Sequence, residues 1–186
     1  MAPEDPAGAD GGPDGASGRR PDGGPDRRAA PDDGRVAIDR LTTSASLRTI
    51  AMPADTNPNG DIFGGWILSQ MDLAGGTHAF FEAQGRVATV AVTAMKFHQP
   101  VRVGDEVSCY CATERIGRTS IRVRVETWVR RRHQAADEQV TEGLFTFVAM
   151  DDQGRPRPVR NGGAEATGRE PGEESDVIER MTRGRP

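Results

Sequence analysis

The sequence predicts an α+β fold in which an antiparallel β-sheet wraps one long central α-helix. Three observations point there. A helix-length apolar run, residues 64–84, follows one short strand-like run, and four more strand-like runs then come in succession. No second helix alternates with those strands, so the βαβ rhythm of a doubly wound sheet is missing. Neither a GxGxxG loop nor a Walker lysine motif occurs.

The elements are read in chain order. Residues 47–52, LRTIAM, form a short strand that ends at Pro53, and ADTNPNGDIFGG is a run of turn formers and therefore a loop. From Gly64 the pattern becomes GGWILSQMDLAGGTHAFFEAQ, nearly apolar all round and closed by Gly85, as expected of a buried helix. Its interior pair Gly75-Gly76 costs about 1 kcal/mol each relative to Ala, so a packing reason is expected, such as close approach to a sheet. Residues 86–97 carry apolar or small groups on both faces, which suits a strand covered on both sides. Residues 105–116 and 118–132 follow, the latter alternating Ile121, Val123, Val125 and Val129 with Arg122, Arg124, Glu126 and Arg130. A last strand covers 139–150. Turn signals separate these runs at Pro100 to Asp105, Ile116-Gly117-Arg118 and Gln134 to Glu138.

Glycine and proline set the domain limits. Of 23 Gly and 13 Pro in 186 residues, residues 1–35 hold 8 and 6, and the middle 115 positions only 9 and 3. Residues 1–40 are therefore expected to be a disordered Gly/Pro/Asp/Arg-rich extension, residues 41–160 one domain, and residues 161–186 a flexible tail in which Val177, Ile178 and Met181 could support a helical turn. Neither end has the apolar run of a signal peptide and no stretch is long enough to span a bilayer, so a cytoplasmic location is expected, with no membrane partner. Residues 36–150 carry 12 basic and 12 acidic groups, which does not suggest a nucleic-acid partner. Locally, residues 115–132 hold seven Arg against Glu126 alone, a stripe that is either a solvated strand face or a surface for a phosphorylated small molecule. Cys109 and Cys111 share one strand face and read as apolar filler, without CxxC or His spacing for redox work or a metal.

The chemistry concentrates between Asn57 and Asp72. On a helical wheel Ser69, Asp72 and Gly76 fall within about 40° of Gly65, a narrow small and polar stripe on an apolar helix. A carboxylate there must be paired, solvated or used. At the head of the helix, Gly64 and Gly65 leave backbone N–H groups uncovered where the helix dipole is positive, a place to stabilise a developing oxyanion. Asp72, two turns on, could act on a water or on a carbonyl carbon. The alternative is structural: Asp61 capping the helix, Asp72 pairing within an interface, the glycines permitting packing. His78, His98 and His133 read as structural or surface residues, and Ser69 lacks a GxSxG elbow.

The run MPADTNPNGDIFGGWILSQMDLAGG, continued by RVATVAVTAMKFHQPVRVGDEVSCY, ERIGRTSIRVRVETWV and FTFVAMDDQGRPRPV, strongly resembles the YciA-like acyl-CoA thioester hydrolases over Leu47 to Val159. The resemblance implies a hotdog fold and an acyl-CoA substrate. It also implies protomers paired into a continuous sheet, commonly a hexamer built as a trimer of dimers, with active sites at the dimer interface. On matching positions it makes Asp72 the catalytic carboxylate and the Gly65 amide the polariser of the thioester carbonyl. Asp61, a further catalytic candidate, lies where relatives often have a polar group, Asn57 and Gly64 are expected to bind substrate, and Arg118, Thr119 and Ser120 match a coenzyme A-contacting turn. That favours the phosphate reading of the arginine stripe. No cofactor or metal is implied beyond coenzyme A as part of substrate and product. The alternative is a non-catalytic acyl-CoA-binding or sensing protein of the same fold, although the terminal segments offer no DNA-binding element. A dehydratase would use a histidine on the helix, and His78 lies on its apolar side.

Overall fold

The computed structural model describes residues 36–132 and 134–159. The expected tail and most of the expected extension, as well as His133, lie outside the described residues. Strand β1 (Leu47–Ile50) leads through a 3-10 turn (Pro53–Asp55) to helix α1 (Gly64–Ala83), and β2 (Val87–Phe97), β3 (Glu106–Ile116), β4 (Ser120–Arg130) and β5 (Glu138–Ala149) follow. All pairings are antiparallel, in the order β1-β3-β4-β5-β2. The sequence boundaries therefore hold to within a few residues at each end.

Helix and sheet meet through small residues. The face of α1 formed by Ile67, Met71, Ala74, Gly75, Ala79 and Ala83 is buried against the inward side chains of the sheet, with Phe145, Phe147, Ile121, Val123, Val125 and Val129 at the centre of the core. Gly75 is where they come closest: a Cβ there would stand 3.0 Å from Phe147 Cζ and 3.3 Å from Val125 Cγ2. The expected packing reason for glycine is thus the near approach of the helix to β4 and β5. Cys109 and Cys111 are free and buried, and burial pushes their thiols up to about 11 and about 12, as befits apolar filler.

Two expected burials are incomplete within the single chain. The helix is not covered all round: Leu73 is 57% exposed, Phe80 48% and Phe81 72% on the face turned away from the sheet. Strand β2 is not covered on both sides but is the edge of the sheet, paired to β5 only, and its residues are half-buried or exposed. Both departures have one cause: a five-stranded sheet with one helix has a single apolar layer contact, so the second apolar face of each element has nothing in its own chain to pack on.

Arg40, placed by sequence in the disordered extension, is docked. Its guanidinium lies 3.4 Å from the Trp128 ring centroid, within 5.8 Å of that of Tyr110, and donates to Asp137 at 3.3 Å. Stacking and an ion pair together hold this short segment on the outer sheet face.

Candidate active site

The loop before α1 is built by Asn57. Its backbone N–H donates to the Asp61 carbonyl at 2.7 Å, and its side-chain Oδ1 accepts from the N–H groups of Asn59 at 2.9 Å and Asp61 at 3.2 Å. One carboxamide thus closes the NPNGD turn on itself. Phe63 N–H then donates to the Asp55 carbonyl at 2.9 Å, which fixes how the chain enters the helix.

The helix starts without a side-chain cap. The N-cap is Phe63, so Asp61 does not cap α1; its carboxylate stands exposed in the loop. Among the described residues no backbone acceptor takes the Gly64 or Gly65 N–H, as expected for the first turn of a helix. A Cβ on Gly65 would stand 2.9 Å from Phe63 Cε1, so glycine keeps both the ring position and the open amide.

Two turns further on, Asp72 is half-buried, and Thr89 on β2 donates its hydroxyl to Asp72 Oδ1 at 2.7 Å. The contact crosses from helix to edge strand. Thr89 was not legible as a site residue, because one threonine in a Val/Ala-rich strand carries no local signal. Asp72 and Thr89 sit in a cleft of about 520 Å³, whose walls are Leu73, Phe80, Phe81, Val87 and Phe147, with Gly76 and Thr77 on the helix side and Arg86 also lining it. The carboxylate therefore faces an apolar channel while one oxygen is held by a donor.

The other expected residues divide. His78 Nε2 lies 2.9 Å from Thr113 Oγ1, on the β3 side of the helix and outside the cleft lining, and burial lowers its proton affinity. Ser69 turns its hydroxyl to the Trp66 carbonyl at 2.7 Å. At the β3–β4 turn, Thr119 and Arg118 are tied down through their backbone carbonyls, which accept from Ala149 N–H at 2.9 Å and Val159 N–H at 3.0 Å; Ser120 accepts from Gly117 N–H at 2.8 Å. The Arg118 side chain is exposed. Much of the arginine stripe is already engaged: Arg124 with Glu114, Arg130 with Asp137, and Arg131 with Asp105 and Glu138. Among the described residues no group of three or more His, Cys, Asp and Glu is placed to hold a metal ion, and no helix is long and apolar enough to cross a membrane.

Comparison with known proteins places the fold in a family. Residues 59–136 match the family model of the thioesterase superfamily. An uncharacterized acyl-CoA thioester hydrolase of Haemophilus influenzae is 53% identical over 116 residues, covering 61% of this chain and 75% of that protein. The acyl-CoA thioester hydrolase YciA of Salmonella typhimurium is 51% identical over 119 residues, 61% of this chain and 87% of that one. Among solved structures, a hexameric hotdog-fold thioesterase of Campylobacter jejuni superposes with a TM-score of 0.62 at 40% identity, covering 65% of this chain and 92% of that chain. With Gly65 at an open helix start and Asp72 in an apolar cleft, all within a five-stranded sheet around one helix, the chain belongs to the hotdog-fold acyl-CoA thioester hydrolases of the YciA type.

Proposed function

We propose that this protein hydrolyses acyl-CoA to a free carboxylic acid and coenzyme A, with Asp72 activating a water or attacking the thioester carbonyl carbon. The observation that carries the reading is the Asp72 carboxylate held at 2.7 Å by Thr89 against an apolar cleft. Held in this way, the carboxylate is oriented towards a cleft that an acyl chain can line, and a positioned base or nucleophile is what the reaction needs. The Gly65 amide supplies the complementary element, a positive helix end for the oxyanion.

Helix geometry argues that these two groups serve one carbonyl only across protomers. Seven residues separate them, so they stand about 10 Å apart along the axis, whereas a reacting carbonyl lies roughly 3 Å from each group acting on it. The site is accordingly formed with Asp72 from one protomer and Gly65 from another. Two features support such pairing: the free β2 edge, and the exposed Leu73, Phe80 and Phe81 face of α1. Joining the edges would extend the sheet and bring the two helices together. The Campylobacter jejuni neighbour is described as hexameric, which supports a homohexamer here, assembled as a trimer of dimers. The reading requires no metal or cofactor and places the enzyme in the cytoplasm.

The test is thiol release over a series of acyl-CoAs with Asp72→Asn alongside. Asn is nearly isosteric, so fold, assembly by light scattering and coenzyme A binding should persist while kcat falls by at least about 100-fold. A folded, assembled variant with near wild-type turnover would sink the assignment and make Asp61 the next carboxylate to test. Binding without turnover by the wild-type protein would identify an acyl-CoA-binding protein instead.

A further inference from the structure

We infer that Arg86, which lines the cleft holding Asp72, binds a phosphate of coenzyme A, acting with Arg118 from the turn across the end of β5. The inference rests on the proposed acyl-CoA substrate and adds a residue that no motif marked. Arg86 lines the cleft, is exposed, and has no hydrogen bond or ion pair from its guanidinium among the described residues. Its neighbours at this end are spent: Arg157 donates to the carbonyls of Ala83, Met150 and Pro158, and Arg155 pairs with Asp151. A cation left unpaired at the end of an apolar channel is suited to an anion on whatever fills the channel.

The spacing selects the anion. Met150 N–H donates to the Arg86 carbonyl at 2.8 Å and Ala149 N–H to the Thr119 carbonyl at 2.9 Å, so the end of β5 lies between the two arginine-bearing segments. Arg86 and the Arg118–Thr119 turn are thus roughly 10 Å apart, about two inter-strand spacings, a span that two side chains can close on one diphosphate. Along β2, Arg86 precedes Thr89, the partner of Asp72, by three residues, or about 10 Å, and its side chain extends that reach further. A pantetheine arm runs about thirteen bonds from sulfur to the first phosphorus, about 15 Å at roughly 1.2 Å per bond when extended. Sulfur at Asp72 therefore sets the diphosphate within reach of Arg86. The same protomer then provides both the reacting carboxylate and the nucleotide anchor, and the other provides the Gly65 amide.

The chemistry is anion binding, and a terminal carboxylate on the acyl group is the other source of such an anion. Full-length wild type, Arg86→Gln and Arg86→Lys are compared on an acyl-CoA, the matching acyl-pantetheine and an ω-carboxyacyl-CoA. The expected result is a KM for acyl-CoA raised about tenfold or more by Arg86→Gln, a clearly smaller change with acyl-pantetheine, partial rescue by Lys, and erosion of the difference at high salt. Equal KM changes with and without the nucleotide would overturn the inference, as would a loss confined to the ω-carboxyacyl substrate. Titration calorimetry with coenzyme A reads Arg86 independently of turnover. Unchanged affinity in Arg86→Gln refutes the anchor, whereas a wild type that binds coenzyme A but cleaves no thioester refutes only the hydrolase.

Discussion

Replacing Thr89 by Val removes one hydroxyl and almost no volume, so it isolates the hydrogen bond to Asp72. That bond is 2.7 Å long, runs to a carboxylate, and crosses from β2 to α1 in a half-buried position. Hydrogen bonds to charged groups are worth about 1.5–3 kcal/mol, and each 1.36 kcal/mol lost from transition-state stabilisation is about tenfold in rate. Water can partly replace the hydroxyl at this half-exposed site, which places the expected loss of kcat nearer the low end, at roughly ten- to fifty-fold. KM should change little, because Thr89 holds the carboxylate and not the coenzyme A moiety. Thr89→Ser, which keeps the donor, should recover most of the rate. Steady-state thiol release on the three proteins, with melting temperatures to show that the fold persists, is the assay. A Val variant with kcat within twofold of wild type, or a Ser variant as slow as Val, would show that Thr89 does not orient Asp72.

Further outcomes follow from the packing, the buried thiols and the β3–β4 turn. Gly75→Val should destabilise by more than the 1–3 kcal/mol usual for overpacking, since even a Cβ meets Phe147 at 3.0 Å, and thermal denaturation reads it; Gly76→Ala, whose Cβ would have an ordinary 3.6 Å contact with Phe147, should be tolerated. The folded state raises the thiols of Cys109 and Cys111 from their ordinary 9.0 to about 11 and about 12, so both are neutral in the fold and ionise first in the unfolded chain. Their contribution is complete below pH 9 and is lost as pH rises towards 11, with a slope of about 1.4 kcal/mol per pH unit for each thiol, and Cys109→Ala/Cys111→Ala should flatten that limb in urea titrations at stepped pH. Arg118→Ala should weaken turnover of acyl-CoA more than of acyl-pantetheine, and equal losses would remove Arg118 from nucleotide binding.

Much of this protein is written in local pattern. The alternation of Ile121, Val123, Val125 and Val129 with charged residues set β4 and its inward face, and the turn formers between Ala54 and Gly65 set the loop before the helix. The wheel placed Asp72 on one stripe with Gly65, because helix periodicity needs no partner to be read, whereas their proposed roles came from the family resemblance. What the sequence could not determine is whatever depends on pairing across the chain. Apolar residues on both faces of β2 announced a strand covered on both sides, but only strand order shows that β2 is an edge of the sheet whose cover is not in its own chain. Thr89 meets Asp72 only because that edge strand runs beside α1. Arg118 and Arg124 look alike in the arginine stripe, yet cross-strand register gives Arg124 to Glu114 and leaves Arg118 exposed in a turn. Side-chain type and period are local properties of a chain; which groups share a cleft is set by register, and register is decided by the sheet as a whole.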